Sequence, residues 1–87
     1  MSEPPRIVFP CAYPIKVMGE NSMRLREDVL AVFTALAEQD PEVGVTERES
    51  AGGRFVSLTV TIIATGEPQL TMLHERLLAV PGVKLVL

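Results

Sequence analysis

The strongest pattern in the chain is an alternation of apolar and polar residues between Phe55 and Ala64. A period of two predicts a β-strand that buries one face in a hydrophobic core. Because the segment contains no proline and is rich in β-branched residues, we expect it in the centre of a sheet. The apolar face is expected to comprise Val56, Leu58, Val60 and Ile62, and the opposite face Ser57, Thr59 and Thr61.

Weaker strands are predicted before and after this one. The first is expected at residues 15–18, or from Tyr13 onward, because Pro10 and Pro14 interrupt regular pairing before it. Residues 43–49 lose apolar character and gain charges along their length, which is typical of an edge strand protected from pairing with other chains. The chain closes with a predicted strand at residues 83–87. Its buried face is expected to comprise Val83, Leu85 and Leu87.

A first helix is predicted from about Met23 to Gln39, where apolar residues recur three and four positions apart. Asn21 or Ser22 is the expected N-cap, and Asp40-Pro41 is expected to end the helix.

A second helix is predicted between the central strand and the last one. Thr65 is its candidate N-cap, Pro68 fits only the first turn, and Pro81-Gly82 is expected to end it. Before the central strand, Gly52-Gly53 supplies the chemistry of a hairpin turn.

The order of elements is β-α-β-β-α-β. A right-handed crossover leaves a gap between the first two strands, and the central strand fills it. We therefore predict a ferredoxin-like α+β sandwich, a four-stranded antiparallel sheet of order 4-1-3-2 with both helices on one face. This domain is expected to span residues 9–87, and residues 1–8 are expected to form a flexible N-terminal arm.

Two helices cover only one side of such a sheet, so the other side is expected to be exposed. A contiguous, half-apolar exposed patch often marks an interface. We predict that this face, or an edge of the sheet, contacts a protein partner, and a homodimer is left open. The candidate interaction surface comprises Lys16, Met18, Phe55, Ser57, Thr59, Thr61 and Lys84, and Ile63 and Val86 are expected beside them.

Composition narrows the classes of function. The 87 residues are enough for one domain, and no apolar run approaches the roughly 18 residues of a membrane span. A net charge of −3 argues against non-specific binding to nucleic acid, which requires a basic surface. The single cysteine, Cys11, cannot form an internal disulfide, which fits a reducing cytoplasm. Its role is left open.

Few side chains in the sequence favour catalysis. His74 is the only histidine and flanks the apolar stripe of the second helix, so a packing or surface role is expected. No second histidine and no second cysteine exist to share a metal ion. Several carboxylates between Glu38 and Glu49 are interpreted as a solvated acidic rim. We expect no catalytic, metal-binding or cofactor-binding residues.

The turn after the first strand offers one alternative. Gly19, Glu20 and Asn21 form a candidate ligand loop, as in ACT domains that sense small molecules such as amino acids at a subunit interface. The same loop is too short and too acidic for the phosphate site of an acylphosphatase. The aromatic residues that stack on RNA bases in RNA-recognition domains are also missing from the central strands.

The chain resembles the small bacterial YbeD family over nearly all of its length, from Phe9 to Leu87. The resemblance depends on Phe9-Pro10, Tyr13, the run Lys16-Val17-Met18-Gly19, residues 53–57, Thr59, Thr61, Ala64-Thr65, Gln69 and Val86-Leu87. It implies an ACT-like ferredoxin fold, no known enzymatic activity and a regulatory link to lipoate metabolism. No catalytic residues come with the family. We therefore expect a non-enzymatic cytoplasmic regulatory or protein-interaction module, with small-molecule sensing as the alternative.

Overall fold

A long antiparallel pair of strands forms the centre of the computed structural model, which describes residues 8–87. The elements are, in chain order, β1 (Cys11–Glu20), α1 (Met23–Leu36), β2 (Glu38–Gln39), β3 (Val45–Glu49), β4 (Phe55–Ala64), α2 (Glu67–Leu78) and β5 (Val83–Val86). β1 and β4 pair over their whole length, from Cys11 opposite Ala64 to Glu20 opposite Phe55. Apart from Val8, the predicted arm lies outside the described residues and stays a prediction.

The strand order is β2-β4-β1-β5, and β3 also pairs with β4. β2 lies opposite Ile63 and Ile62, whereas β3 lies opposite residues 56–60 of the same strand. β2 and β3 therefore form one edge strand in two segments, and the sheet is four strands wide. The predicted α+β ferredoxin-like sandwich of order 4-1-3-2 is confirmed.

Both helices cover the same face of the sheet. β1 buries its odd-numbered apolar side chains and β4 its even-numbered ones, and these lie on one face of the sheet. α1 buries Leu25, Val29 and Phe33 at a spacing of four, and α2 buries Leu73 and Leu77. The core comprises Ile15, Val17, Leu25, Val29, Phe33, Val56, Leu58, Val60, Ile62, Ala64, Leu73, Leu77, Val80 and Val86.

α1 begins as predicted but ends early. The Ser22 hydroxyl accepts the Leu25 N–H at 3.0 Å and caps the helix. The expected extension to Gln39 is wrong, since Ala37 is already extended. Glu38–Gln39 instead form β2, because their backbone pairs with the end of β4 and this outweighs the helical propensity of the segment.

The edge strand is interrupted between its two segments. Asp40 donates its N–H to the Thr61 carbonyl at 2.8 Å, and Thr61 donates to the Gly44 carbonyl at 3.2 Å. Between these two bonds Pro41, Glu42 and Val43 leave the sheet in a turn. The Asp40 carboxylate closes the turn by accepting the Glu42 N–H at 2.8 Å. The loop thus interrupts the outer edge of the sheet beside β4.

β1 begins earlier than predicted, at Cys11 instead of near Ile15. Lys16 exchanges both backbone hydrogen bonds with Leu87, so its N–H and C=O face β5. By the alternation of the ladder, the nitrogen of Pro14 faces the same side, away from β4. The proline therefore removes no hydrogen bond from the central pair, and the strand continues through it.

β5 is irregular, and the expected alternation along it is wrong. Val86 lies opposite Val17 and Leu85 opposite Met18, but Val83 lies opposite Gly19, which marks a β-bulge between Met18 and Gly19. Val83 and Val86 therefore both pack against the core, whereas Leu85 and Leu87 do not. A bulge changes which face each side chain occupies, so parity alone fails here.

α2 has a different N-terminus from the one expected. Its N-cap is Gly66 instead of Thr65, and Pro68 lies in the first turn as predicted. Gln69 connects the two helices: its Oε1 accepts the Thr65 N–H at 2.8 Å, and its Nε2 donates to the Leu36 carbonyl at 3.0 Å. One side chain thus satisfies the start of α2 and the end of α1.

Candidate interaction surface

One side of the sheet is not covered by either helix. We call it the open face, and it is formed by the side chains opposite in parity to the core, together with their cross-strand neighbours. It comprises Ala12, Pro14, Lys16, Met18 and Glu20 of β1, Thr46 and Arg48 of β3, Phe55, Ser57, Thr59 and Ile63 of β4, and Leu85 and Leu87 at β5.

The middle of the open face consists of two rows that cross the sheet. One row is Leu85, Met18, Ser57 and Arg48, and the other is Leu87, Lys16, Thr59 and Thr46. Directly opposite side chains in such rows are ~5 Å apart and in contact. Leu85 is 43% and Leu87 67% exposed, so each row changes from apolar at the β5 edge to polar at the β3 edge.

Most of the predicted interaction residues lie on this face. They are Lys16, Met18, Phe55, Ser57 and Thr59. Thr61 has the right parity but is only 6% exposed, so it is not accessible to a partner. Its backbone is enclosed by the interrupted edge strand, and Pro14 lies opposite it.

The β5 residues were assigned to the wrong faces. Val86, expected on the open face, is buried in the core at 7% exposure. Lys84 is exposed but lies at the bulge, outside both rows. Leu85 and Leu87 are the residues of the β5 segment that lie on the open face. The only signal for this in the sequence is Gly19, whose missing side chain allows the close approach of β5.

The charges of the open face differ from those of the rest of the chain. Lys16 and Arg48 lie in its two rows, whereas the whole sequence carries a net charge of −3. Among residues 8–87, the ion pairs involve Arg24 and Arg26, and neither open-face cation has a carboxylate within salt-bridge distance. Beside these rows, the guanidinium of Arg54 lies 5.3 Å from the centre of the Phe55 ring. The two rows of the open face therefore carry only cations among their charged side chains, and the exposed Glu20 lies beside them, opposite Phe55.

The candidate ligand loop is part of the folded framework. Gly19 and Glu20 belong to β1, and the Glu20 N–H donates to the Gly82 carbonyl at 3.0 Å. Asn21 donates its N–H to the Arg54 carbonyl at 3.0 Å and its side-chain amide to the Gly53 carbonyl at 2.7 Å. The expected turn glycine is thus a buried strand glycine, and the donors of Glu20 and Asn21 already have partners within the chain.

The expected acidic rim contains one organised ion pair. Arg26 of α1 donates from Nε to Glu47 Oε1 at 2.6 Å and from Nη2 to Oε2 at 3.2 Å. Glu49 lies 3.8 Å from the same guanidinium. The hydrogen bonds from Arg26 lower the pKa of Glu47 below its ordinary value and raise the pKa of Arg26. This pair attaches β3 to α1 on the side opposite the open face.

No constellation typical of a reaction centre occurs among the described residues. Within residues 8–87, no group of three His, Cys, Asp or Glu side chains is placed to hold a metal ion. Cys11 is a half-buried free thiol that packs beside the core, and His74 is exposed on α2. None of the helices in this range has the length and apolar character needed to cross a bilayer.

A groove that was not anticipated from the sequence lies between α2 and the sheet, where β5 ends. Its volume is about 350 Å³. It is lined by Tyr13 and Ile15 of β1, Leu70, Thr71, His74 and Glu75 of α2, and Val86 and Leu87 at the end of β5. Its position depends on the length of β5, which a sequence pattern does not define.

Comparison with known proteins gives the family. Residues 4–87 match the family described as "Protein of unknown function (DUF493)". The chain belongs to the DUF493 family. A UPF0250 protein of Chromobacterium violaceum is 42% identical over 79 residues, which cover 91% of this DUF493 chain and 89% of that protein. A UPF0250 protein of Nitrosomonas europaea is 34% identical over 87 residues, with 100% of both chains covered. The YbeD-like resemblance is confirmed.

Solved structures show the same fold. The ACT domain from the GTP pyrophosphokinase of Chlorobium tepidum has a TM-score of 0.68 at 21% identity, covering 87% of this chain and 92% of that one. Protein HP0495 from H. pylori has a TM-score of 0.70 at 19% identity, covering 99% of this chain and 90% of that one. The DUF493 chain therefore has an ACT-like ferredoxin fold.

Proposed function

We propose that this DUF493 protein is a non-catalytic regulatory module of the cytoplasm that binds a protein partner through its open face. The supporting observation is the uncovered sheet face, on which exposed Leu85 and Leu87 adjoin Met18 and the cations Lys16 and Arg48. Exposed apolar area of this kind, mixed with polar residues, is typical of a protein interface.

The charges indicate the chemistry of the partner. Because Lys16 and Arg48 have no carboxylate partner among the described residues, a complementary surface presents carboxylates to them. The adjoining leucines and Met18 require an apolar area on the same surface. We therefore expect an acidic surface with an apolar centre, and the interaction is expected to weaken as salt concentration rises.

The partner can be captured by photocrosslinking in the native bacterium. A photoreactive phenylalanine analogue replaces Thr59 in the middle of the open face, and a matched control replaces exposed Thr34 on α1. We expect a discrete adduct from position 59 that is absent from position 34 and is lost when Lys16→Glu is added. Equal labelling at both positions, or no adduct from position 59, would contradict the proposal.

A link to lipoate metabolism specifies the role of the protein partner in the same proposal. It comes from the family resemblance alone, and it predicts that the protein crosslinked at Thr59 acts in lipoate synthesis or attachment. Any other reproducible partner would remove the lipoate link and leave the interaction module intact.

Small-molecule sensing is the second candidate, supported by the fold likeness to the ACT domain of a GTP pyrophosphokinase. It predicts that one amino acid or lipoic acid raises the unfolding temperature, with about 2.7 kcal/mol of stabilisation at a hundredfold excess over Kd. A thermal-unfolding screen of the amino acids and lipoic acid tests this, and no shift at millimolar concentrations would exclude sensing of these compounds.

A further inference from the structure

The groove beside α2 adjoins a stretch of β1 that, among residues 8–87, has a partner strand on one side only. β1 pairs with β4 from Cys11 onward, but β5 pairs with it only from Lys16 to Gly19. Residues 11–15 of β1 therefore form a short sheet edge in line with the end of β5. At about 3.3 Å per residue this edge is ~17 Å long.

The register identifies the backbone groups at this edge. The N–H and C=O of Lys16 both face β5, where they bond to Leu87 at 3.0 and 2.8 Å. By the two-residue alternation, the N–H and C=O of Ala12 and the C=O of Pro14 face the same side. No strand among residues 8–87 pairs with them there. Ala12 and Pro14 are both exposed.

The groove lies on the helix side of this edge, directly above it. Tyr13 and Ile15 point into it from β1, and Leu70 adds a further apolar side chain from α2. A strand laid along Ala12–Pro14 places alternate side chains in this space, because successive side chains of a strand point to opposite faces. The groove volume of about 350 Å³ accommodates such side chains.

We propose that this site binds an extended segment of a partner protein, which adds to β1 as an antiparallel strand in line with β5. Backbone bonds to Ala12 and Pro14 hold the segment, and the side chain opposite Tyr13 enters the groove. Among the side chains of residues 8–87 that line the groove, Glu75 is the only carboxylate, so a lysine or arginine at an inward-facing position complements it. The motif is an apolar residue and a basic residue two positions apart.

A peptide partner fits this edge better than a second copy pairing through β3. That strand is the opposite edge of the sheet, and its groove-directed side chains would be Glu47 or Glu49, which carry the same charge as Glu75. The peptide site uses the backbone edge at Ala12 and Pro14 and the groove on the helix side, whereas the two rows of the open face use side chains on the other side of the sheet.

The test uses a displayed library of random heptapeptides, selected on the full chain, with the enriched peptides synthesised for NMR titration. We expect apolar-x-basic motifs whose binding shifts the Ala12 amide and slows its hydrogen exchange. Ala12→Pro deletes the unpaired N–H without affecting the bonds to β4, and it should weaken binding by about tenfold or more. Glu75→Lys should likewise weaken the binding of basic peptides by about tenfold or more.

Matched controls separate this site from other surfaces. Glu27→Lys makes the same charge change on exposed α1, and Arg48→Glu alters the open face at the opposite edge of the sheet; both should leave peptide affinity unchanged. If Ala12→Pro impairs folding, N-methylation of the peptide amide facing Ala12 provides the equivalent test. No enrichment over an unrelated protein, or equal binding to Ala12→Pro, would overturn the proposal. Shifts of the Ala12 amide with protein concentration alone would assign the edge to a second copy and also overturn it.

Discussion

At the scale of single residues, Gly19 leaves no room for a side chain between β1 and the turn that precedes β5. A Cβ there would lie 2.6 Å from the Gly82 carbonyl oxygen and 2.6 Å from Leu25 Cδ1. Its φ is not positive, so the requirement for glycine is one of space and not of backbone conformation. This close approach brings the turn before β5 against β1 at the bulge.

Replacement of Gly19 by alanine should therefore be destabilising. Since the Gly82 carbonyl is backbone and cannot rotate away, we expect a loss of about 1–3 kcal/mol, as for other overpacked cores. Chemical denaturation measures it. Gly66→Ala is the matched control, because its Cβ would meet only Pro68 Cδ at 3.6 Å, and it should cost about 1 kcal/mol or less. Equal losses at both positions would refute the steric explanation.

The Arg26–Glu47 pair makes stability depend on pH. Because hydrogen bonds from Arg26 lower the folded-state pKa of Glu47, the pair's contribution is complete above the ordinary carboxyl value of 4.5. It is lost as the pH falls through the lowered pKa. The urea midpoints of wild type and Glu47→Gln should therefore differ most near pH 7 and converge as the pH falls below the ordinary carboxyl value and through the lowered pKa. Glu42→Gln removes an exposed carboxylate of the edge loop that is in none of the ion pairs among residues 8–87, and it should leave the urea midpoint close to that of wild type at pH 7.

At the scale of elements, periodicity predicted the central strand and both helix positions, because these segments bury a regular apolar face. It did not predict the end of α1 or the faces of β5. The sequence pattern predicts a helix through Glu38–Gln39, but their backbone pairs with Ile63 and Ile62 at the end of β4. The bulge opposite Gly19 reverses the parity of Leu85 and Val86. Both differences arise from pairing with a distant strand, which no local pattern contains.

The two faces of α2 differ in burial, and leucine-to-alanine substitutions on each face test this difference. Leu73 is fully buried, whereas Leu78 is 48% exposed on the same helix. Leu73→Ala should cost about 2–5 kcal/mol, since it removes core contacts and leaves a cavity. Leu78→Ala should cost much less, because its side chain already contacts solvent. Urea unfolding of the two variants measures this difference, and similar losses would contradict the assigned packing of α2.

At the scale of the whole molecule, the sequence predicted which sheet face is uncovered but not the groove. Of the seven residues predicted for the interaction surface, five lie on the open face, where strand parity placed them: Lys16, Met18, Phe55, Ser57 and Thr59. The groove, and the edge of β1 that no strand among residues 8–87 pairs with, are properties of the assembled sheet. Features made by the relative lengths of strands cannot be derived from any one strand.

The interrupted edge strand has a consequence for assembly. β3 carries Glu47, Arg48 and Glu49 in sequence, and the turn at Pro41–Val43 breaks the line of backbone groups beside it. Edge-to-edge growth of sheets needs two edges on each subunit that accept a strand, and here the charged, interrupted β3 edge disfavours pairing. We therefore expect strand addition at the β1 edge to give complexes of fixed size instead of filaments.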